Sequence, residues 1–276
     1  MKTKKILSGV LFGVFITFIY LIGINVIGEI IKETNDQKLF MNYGARIIFR
    51  IALFVISALV IKKKLNIKFG CNSKNIILGV FWYGLCFIVI YTLNIHDEFM
   101  KPEIGLIKAL PKVFMIFFET MSIGLIEETL FRGIFFNSFK ARFGESKSGI
   151  TKAALISSGM FGALHLLNLT GNPKIVLATF SQVLYATFFG FIFCVIYYRT
   201  KNFWSVVIIH GLVDFTGNFW GAFAKNTSKV LSNASKSDYT ISYSIFVVSI
   251  ALLFLISGIL QLNKHYKNKQ FSIINN

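Results

Sequence analysis

Long runs of apolar residues, separated by short polar segments, dominate the pattern along this chain. Eight runs are long enough, or nearly so with some tilt, to cross a hydrocarbon layer of about 30 Å. In chain order they cover Ile6–Gly28, Arg46–Ile61, Ile76–Leu93, Val113–Phe139, Ile150–Leu169, Ile175–Tyr198, Phe203–Ala222 and Ser242–Leu262. The pattern predicts an all-α, polytopic membrane protein with about eight transmembrane helices.

The polar segments between these runs are too short to hold a soluble domain. The longest are the two predicted outer segments, 95–112 and 223–241. We therefore predict one hydrophobic unit with three regions along the chain. Residues 1–112 hold the first three helices, residues 113–222 hold a core of helices four to seven, and residues 223–276 hold an outer loop, the last helix and a basic tail.

Composition supports a membrane protein and excludes a nucleic-acid partner. Hydrophobic residues make up 55% of the chain and charged residues 15%, and the mean hydropathy is +0.66. The net charge of +17 comes mainly from Lys and Arg on the predicted inner segments. This bias follows the positive-inside rule with both termini in the cytoplasm, so we expect the lipid bilayer of the cell membrane to be the partner. The first run is too long for a cleaved signal peptide, and we interpret it as an anchor.

The fourth run carries three ionisable residues at membrane depth, where each costs about 2.5–3.5 kcal/mol. They are Glu127, Glu128 and Arg132. On a straight α-helix Glu128 and Arg132 share one face, whereas Glu127 is turned about 100° away. We predict a buried ion pair between Glu128 and Arg132. Glu127 then remains as a carboxylate suited to act as a general base or acid.

Two further polar pairs at helical spacing occur in the fifth and seventh runs. Phe161 precedes His165 by four residues, and His210 precedes Asp214 by four. An acid one turn from a histidine can accept from one ring nitrogen and fix its tautomer. One glutamate and two histidines converging from three helices can activate a water and stabilise an oxyanion. This combination indicates amide hydrolysis within the membrane.

The remaining polar groups at membrane depth suggest structural roles. Glu119 lies toward the outer end of its helix, where we expect it to meet water or Lys112. Arg50 in the second run can snorkel or pair, but the sequence identifies no partner. Ala186 and Gly190 are small residues four apart, which predicts a close approach between helices.

At these motifs the chain resembles the CAAX protease and bacteriocin-processing family, also called CPBP or Abi, which includes type II CAAX prenyl proteases and lysostaphin resistance protein A. The resemblance covers about residues 113–220. Its motif Glu-Glu-x-x-x-Arg corresponds to Glu127–Arg132, followed by Gly133. Phe-x-x-x-His corresponds to Phe161–His165, and the last motif to His210–Asp214. Three ordered motifs on three predicted helices form a specific signal.

The resemblance implies an eight-helix fold with an internal polar cavity and assigns roles to residues. It implies that Glu127 and His165 activate water, and that His210 and Asp214 polarise the scissile carbonyl. The implied supporting residues are Glu128, Arg132 and Phe161. Many family members have Asn where this chain has Asp214, and an ionised carboxylate cannot donate to an oxyanion. We therefore expect Asp214 to orient His210.

Zinc is an open alternative to a metal-free mechanism. Glu127, His165 and His210 supply nitrogen and oxygen ligands that zinc accepts, and Asp214 could add another. The chain lacks the H-E-x-x-H sequence that places two zinc-binding histidines on one helix turn. The sequence therefore favours a glutamate mechanism without a required cofactor.

Three functions are compatible with these residues. The favoured one is an intramembrane endopeptidase acting on a peptide or a membrane-anchored protein. The second is a bacteriocin self-immunity protein that needs no proteolysis. The third is a proton-coupled transporter, for which inverted repeats and broken helices would be expected in both halves. The polar residues instead concentrate in runs four to seven.

Overall fold

The structure is a computed structural model that describes residues 2–65, 70, 75–84 and 102–274. The described part of the chain is helical and contains no β-strand. The α-helices are α1 (Lys2–Ile30), α2 (Asp36–Val60), α3 (Leu106–Glu128), α4 (Asn137–Phe143), α5 (Lys147–Leu164), α6 (Asn168–Gly171), α7 (Val176–Thr200), α8 (Phe203–Asn218), α9 (Thr227–Ala234) and α10 (Ile241–Ile274).

Shorter helical turns of other types connect or extend these helices. Three are π-helical, with hydrogen bonds spaced one residue wider than in an α-helix. They are Ile61–Leu65, Leu78–Gly84 and Thr129–Phe136. Two are 3₁₀-helical, His165–Leu167 and Phe219–Phe223.

The predicted all-α membrane architecture is confirmed. Among the described residues, seven helical stretches are long and apolar enough to cross a membrane. They are Ile6–Ile30, Asp36–Lys63, Leu106–Phe143, Lys147–Gly171, Val176–Thr200, Phe203–Phe223 and Ile241–Asn268. The protein is therefore a multi-pass membrane protein. Of the remaining predicted run, residues 85–93 lie outside the described part of the chain.

The sequence predicted helices that are too short where a helix begins with polar residues. The second run was predicted to start at Arg46, but α2 starts at Asp36. Its N-terminus is capped by the side chain of Asn35, which accepts a hydrogen bond from the Lys38 amide at 2.9 Å. The segment 223–241, predicted as an outer loop, contains the short helix α9.

The chain divides into two compact units. The first unit comprises Met1–Val10, Phe131–Lys201 and Lys236–Asn276, and α7 packs there against α5 and α10. The second unit comprises Leu11–Leu130 and Asn202–Ser235, and α3 packs there against α2 and α8. The three predicted regions 1–112, 113–222 and 223–276 stay a prediction about sequence organisation.

In the second unit, α3 and α8 approach closely because each has a glycine at the contact. A methyl group added at Gly124 would lie 2.9 Å from the Val207 carbonyl oxygen. One added at Gly211 would lie 3.0 Å from the Met121 Cα atom. Both neighbours are backbone atoms that cannot rotate away. This contact lies one turn from Glu127 and Glu128 on α3 and next to His210 on α8, so it sets their separation.

Replacing Gly124 by Ala is expected to destabilise the protein by about 1–3 kcal/mol, because the added methyl group overpacks the contact between α3 and α8. The matched control is Gly44→Ala in α2, where an added methyl group meets nothing within 4 Å. That control should be neutral or slightly stabilising. Unfolding in mixed micelles measures both variants. Equal stability of the two would contradict the packing assigned to Gly124.

In the first unit, the small residue Gly190 allows α5 and α7 to pack closely. A methyl group added at Gly190 would lie 2.7 Å from Ser158 Cβ. Ala186, one turn earlier on α7, is buried. The predicted close approach of helices at Ala186 and Gly190 is confirmed, and the partner helix is α5.

Candidate active site

Glu127 and Glu128 are the last two residues of α3, immediately before a π-helical turn. This turn, Thr129–Phe136, includes Arg132. The prediction of a straight α-helix through Arg132 was therefore wrong. In a π-helical turn, residues four apart no longer have the angular offset assumed for Glu128 and Arg132. π-helical turns are frequent at functional sites, because the wider turn re-aims side chains.

His210 on α8 is held by Glu128 in the interior of the second unit. His210 Nδ1 lies 2.7 Å from Glu128 Oε1, and the Glu128 side chain is fully buried. An ionised carboxylate only accepts hydrogen bonds, so Nδ1 carries the proton in this contact. Glu128 therefore fixes the orientation of the His210 ring.

Glu127 and Asp214 face the other nitrogen of His210. His210 Nε2 lies 3.6 Å from Glu127 Oε2 and 3.6 Å from Asp214 Oδ2. Both distances exceed a hydrogen bond, and the shortest of these three contacts to the ring comes from Glu128, so the predicted orienting role of Asp214 stays a prediction. The side chain of Glu127 is 17% exposed and that of Asp214 is 32% exposed. These two carboxylates can be reached by a ligand, whereas Glu128 cannot.

Glu127 also has a partner that sequence reasoning missed. The Tyr20 hydroxyl in α1 donates a hydrogen bond to Glu127 Oε1 at 3.1 Å. Tyrosine in membrane helices usually lies at the interface with water, so a Tyr in the middle of the first apolar run was a usable signal. The helical spacing within α3 could not reveal this contact, because the two residues are far apart in sequence.

Arg50 and Glu119 form a buried ion pair in the same unit. This contact corrects the expectation for Glu119 and gives Arg50 the partner that the sequence did not identify. Arg50 Nη1 lies 2.7 Å from Glu119 Oε2 and donates to Ser122 Oγ at 3.0 Å. Glu119 therefore meets neither water nor Lys112. The Lys112 ammonium instead lies 2.6 Å from Asp36 Oδ2. Two charges that looked isolated in the sequence neutralise each other in the fold.

In the first unit, Arg132 is fully buried among aromatic rings and backbone. Its Nη2 donates to the Gly190 carbonyl oxygen at 3.1 Å. Its guanidinium carbon lies 5.1 Å from the centre of the Phe161 ring and 5.2 Å from that of Phe193, within range of cation–π attraction. The motif residues Arg132 and Phe161 are thus in contact, and their role as supporting residues stays a prediction.

The π-helical turn in this unit is stabilised by Asn137. The Asn137 amide nitrogen donates to the carbonyl oxygens of Arg132 and Gly133 at 3.0 and 3.1 Å. It also lies 3.0 Å from the Tyr197 hydroxyl. A buried carbonyl without a partner is costly, so this amide lets the wide turn persist in an apolar surrounding.

His165 lies at the end of α5, where the helix tightens into a 3₁₀ turn. Its ring contacts Phe161 edge-on, with the ring centres 5.4 Å apart. His165 belongs to the first unit, whereas Glu127, His210 and Asp214 belong to the second. The proposed pairing of Glu127 with His165 stays a prediction, and so does the ion pair between Glu128 and Arg132.

A zinc site would need several ligand side chains close together. Zinc takes ligand atoms about 2.0–2.2 Å from the metal, arranged as a tetrahedron. In the described part of the chain, no three His, Cys, Asp or Glu side chains are grouped so as to hold a metal ion. His210 Nδ1 is engaged by Glu128. Zinc binding by Glu127, His165 and His210 stays a prediction.

Residues 109–216 match the family model described as type II CAAX prenyl endopeptidase, Rce1-like. This part of the chain belongs to the CAAX protease family. The matched range contains all three motifs, from Glu127 to Asp214. No curated protein and no solved structure matches the chain significantly. The description of this family names an endopeptidase, so the match supports a protease activity in a chain whose helices are apolar enough to span a membrane.

Tyr20 and Arg50 lie outside the range that matches the CAAX protease family. Tyr20 contacts Glu127 from α1, and Arg50 contacts Glu119, two turns before Glu127, from α2. The surroundings of Glu127 therefore include helices that precede the matching segment.

Proposed function

We propose that this chain is an intramembrane endopeptidase that hydrolyses a peptide bond with a water activated by Glu127. The observation that carries this proposal is the convergence of Glu127, His210 and Asp214. Two accessible carboxylates face one imidazole nitrogen, and a third, buried carboxylate holds the other nitrogen. The three residues lie within the segment that matches the CAAX protease family.

In the proposed first step, Glu127 acts as the general base. A water beside the contact between Glu127 Oε2 and His210 Nε2 can hydrogen-bond to both groups. Its oxygen attacks the scissile carbonyl carbon, and its proton passes to Glu127. The family motif assigns His165 to the same step, as a second group that orients this water.

In the proposed second step, His210 stabilises the charge that develops on the carbonyl oxygen. With Nδ1 donating to Glu128, only a doubly protonated ring can also donate from Nε2. The proposed step therefore uses the doubly protonated ring, which the carboxylates of Glu127, Glu128 and Asp214 surround. The tetrahedral intermediate then collapses with cleavage of the C–N bond, and Glu127 returns the proton to the leaving amine.

The proposed substrate is a peptide anchored in the membrane. A lipid-anchored C-terminal peptide is the substrate class that the family description, CAAX prenyl endopeptidase, indicates. The spans that carry Glu127 and His210 are apolar enough to lie within the bilayer, so an anchored peptide reaches them without leaving it. A bacterial peptide precursor is the alternative substrate, and proteolysis-independent bacteriocin immunity is the alternative function.

Cleavage by the protein reconstituted in liposomes tests this function. We expect cleavage of an internally quenched farnesylated peptide ending in Cys-aliphatic-aliphatic-X, and weaker cleavage of the same peptide without the prenyl group. Because the proposed base is a carboxylate, cleavage should survive dialysis against a strong chelator with less than about a twofold loss. Loss of activity that zinc restores would support the zinc alternative. No cleavage of either peptide would contradict a prenyl-peptide substrate.

A further inference from the structure

Two polar residues outside the family match reach toward the proposed base. Tyr20 lies in α1 and Arg50 in α2, and both side chains are buried, with 8% and 3% of their surface exposed. Burial of a phenol and a guanidinium at membrane depth is costly unless each makes specific contacts. Tyr20 contacts Glu127, and Arg50 contacts Glu119 on the same helix, α3.

The Tyr20 hydroxyl restricts how the Glu127 carboxylate can be used. It donates to Oε1, so one of the two acceptor positions of that oxygen is taken. The second oxygen, Oε2, is the one that faces His210 Nε2. The hydrogen bond also fixes the plane of the carboxylate, which can otherwise rotate about its last bond. One carboxylate oxygen is therefore held by the protein, and the other is presented to the reacting groups.

The Phe49 ring of α2 lies against the backbone of α1 near Tyr20. Gly23 lies one turn after Tyr20, and a methyl group added there would lie 2.2 Å from Phe49 Cζ. The ring would have to move if Gly23 carried a side chain.

Arg50 lies on α2 against α3, the helix that carries Glu127. Its guanidinium makes an ion pair with Glu119 and a hydrogen bond to Ser122. Glu119 lies two turns before Glu127, so this pair neutralises a buried charge on the same helix.

We propose that Tyr20 is a positioning residue for Glu127 and that it sets which carboxylate oxygen activates water. This inference rests on the proposed function, because it assigns a task within the same site. Among the described residues, the charged and titratable groups around Glu127 are Tyr20 from α1, Arg50 from α2, Glu128 beside it on α3, and His210 and Asp214 from α8.

Tyr20→Phe tests the proposal because it removes the hydroxyl and keeps the ring. We expect kcat on the farnesylated peptide to fall about 10-fold, because Glu127 loses the hydrogen bond that positions it for the chemical step. KM should stay within about twofold, because Tyr20 is not proposed to contact the substrate. The matched control is Thr17→Val, one turn earlier on α1. Thr17 is also buried, but its hydroxyl donates to Gly13 of its own helix.

A second measurement needs no substrate. Dicyclohexylcarbodiimide modifies carboxyl groups in apolar surroundings, and mass spectrometry reports the modification of each residue. Freeing Oε1 in Tyr20→Phe should raise the labelling of Glu127 several-fold relative to Glu119 in the same molecules. Thr17→Val should leave this ratio unchanged. The ratio does not depend on the amount of protein labelled, and a thermal unfolding curve for each variant checks that the folded fractions are equal.

The two measurements separate the inference from the proposed function. If the wild-type protein cleaves no peptide but Tyr20→Phe raises the labelling ratio, the hydrogen bond stands and the endopeptidase proposal fails. If the wild-type protein cleaves the peptide and Tyr20→Phe changes neither the labelling ratio nor kcat, the positioning role is overturned. A fall in kcat that Thr17→Val reproduces would also overturn it.

Discussion

Replacing Glu127 by Gln is expected to lower peptide cleavage by about 10²- to 10⁴-fold, the usual contribution of a general base. The amide has nearly the same shape as the carboxylate, and its oxygen can still accept from the Tyr20 hydroxyl. It cannot take a proton from water. The protein should therefore stay folded and inserted while its activity is lost. Initial rates on the farnesylated peptide in liposomes, normalised to inserted protein, measure the effect.

The control for this prediction is Glu29→Gln at the end of α1. The Glu29 side chain is exposed, 3.8 Å from Lys32, and the substitution should leave cleavage unchanged. Cleavage by Glu127→Gln at more than a tenth of the wild-type rate would contradict the role of Glu127. If the chain protects cells against a bacteriocin, protection that survives Glu127→Ala would favour immunity without proteolysis.

Replacing Glu128 by Ala is expected to destabilise the protein by about 3–5 kcal/mol, because it leaves a buried histidine without its closest partner. Glu128 is fully buried and lies 2.7 Å from His210 Nδ1. Cleavage should fall as well, since the ring loses its orientation. Glu128→Gln should be milder, because its side-chain oxygen can still accept from Nδ1. Reversible unfolding in mixed micelles measures the free energy of each variant.

Asp214→Ala is the comparison for Glu128→Ala. Asp214 lies 3.6 Å from Nε2 and is about one third exposed, so its removal should cost about 1 kcal/mol or less. The two carboxylates both contact His210, but only one is buried against it. Equal destabilisation by the two substitutions would show that Glu128 does not hold the ring.

The membrane spans were predictable because their signal is local. A helix in lipid must satisfy its backbone hydrogen bonds internally and present apolar side chains, and both requirements appear in consecutive residues. Helix ends were less predictable. α2 begins ten residues before Arg46, in a polar stretch where the Asn35 cap decides the start and hydropathy gives no signal.

The candidate site was predictable as a set of residues but not as a set of contacts. The motif residues Glu127, Glu128, His210 and Asp214 do meet in the second unit. Their pairing differs from the expectation, because Glu128 holds the ring and Asp214 lies at the opposite nitrogen. The expectation assumed that residues four apart on one helix pair first. Packing of α3 on α8 through Gly124 and Gly211 brings a closer partner from another helix.

The sequence by itself determined that this protein is a helical membrane protein and that its motifs belong to the CAAX protease family. Hydropathy and motif spacing are properties of neighbouring residues, so they can be read without a fold. Only the tertiary structure decided that Tyr20 contacts Glu127 and that Arg50 pairs with Glu119. Partners from separate helices are chosen by interhelical packing and by the cost of leaving a buried charge alone, and neither appears in the order of residues.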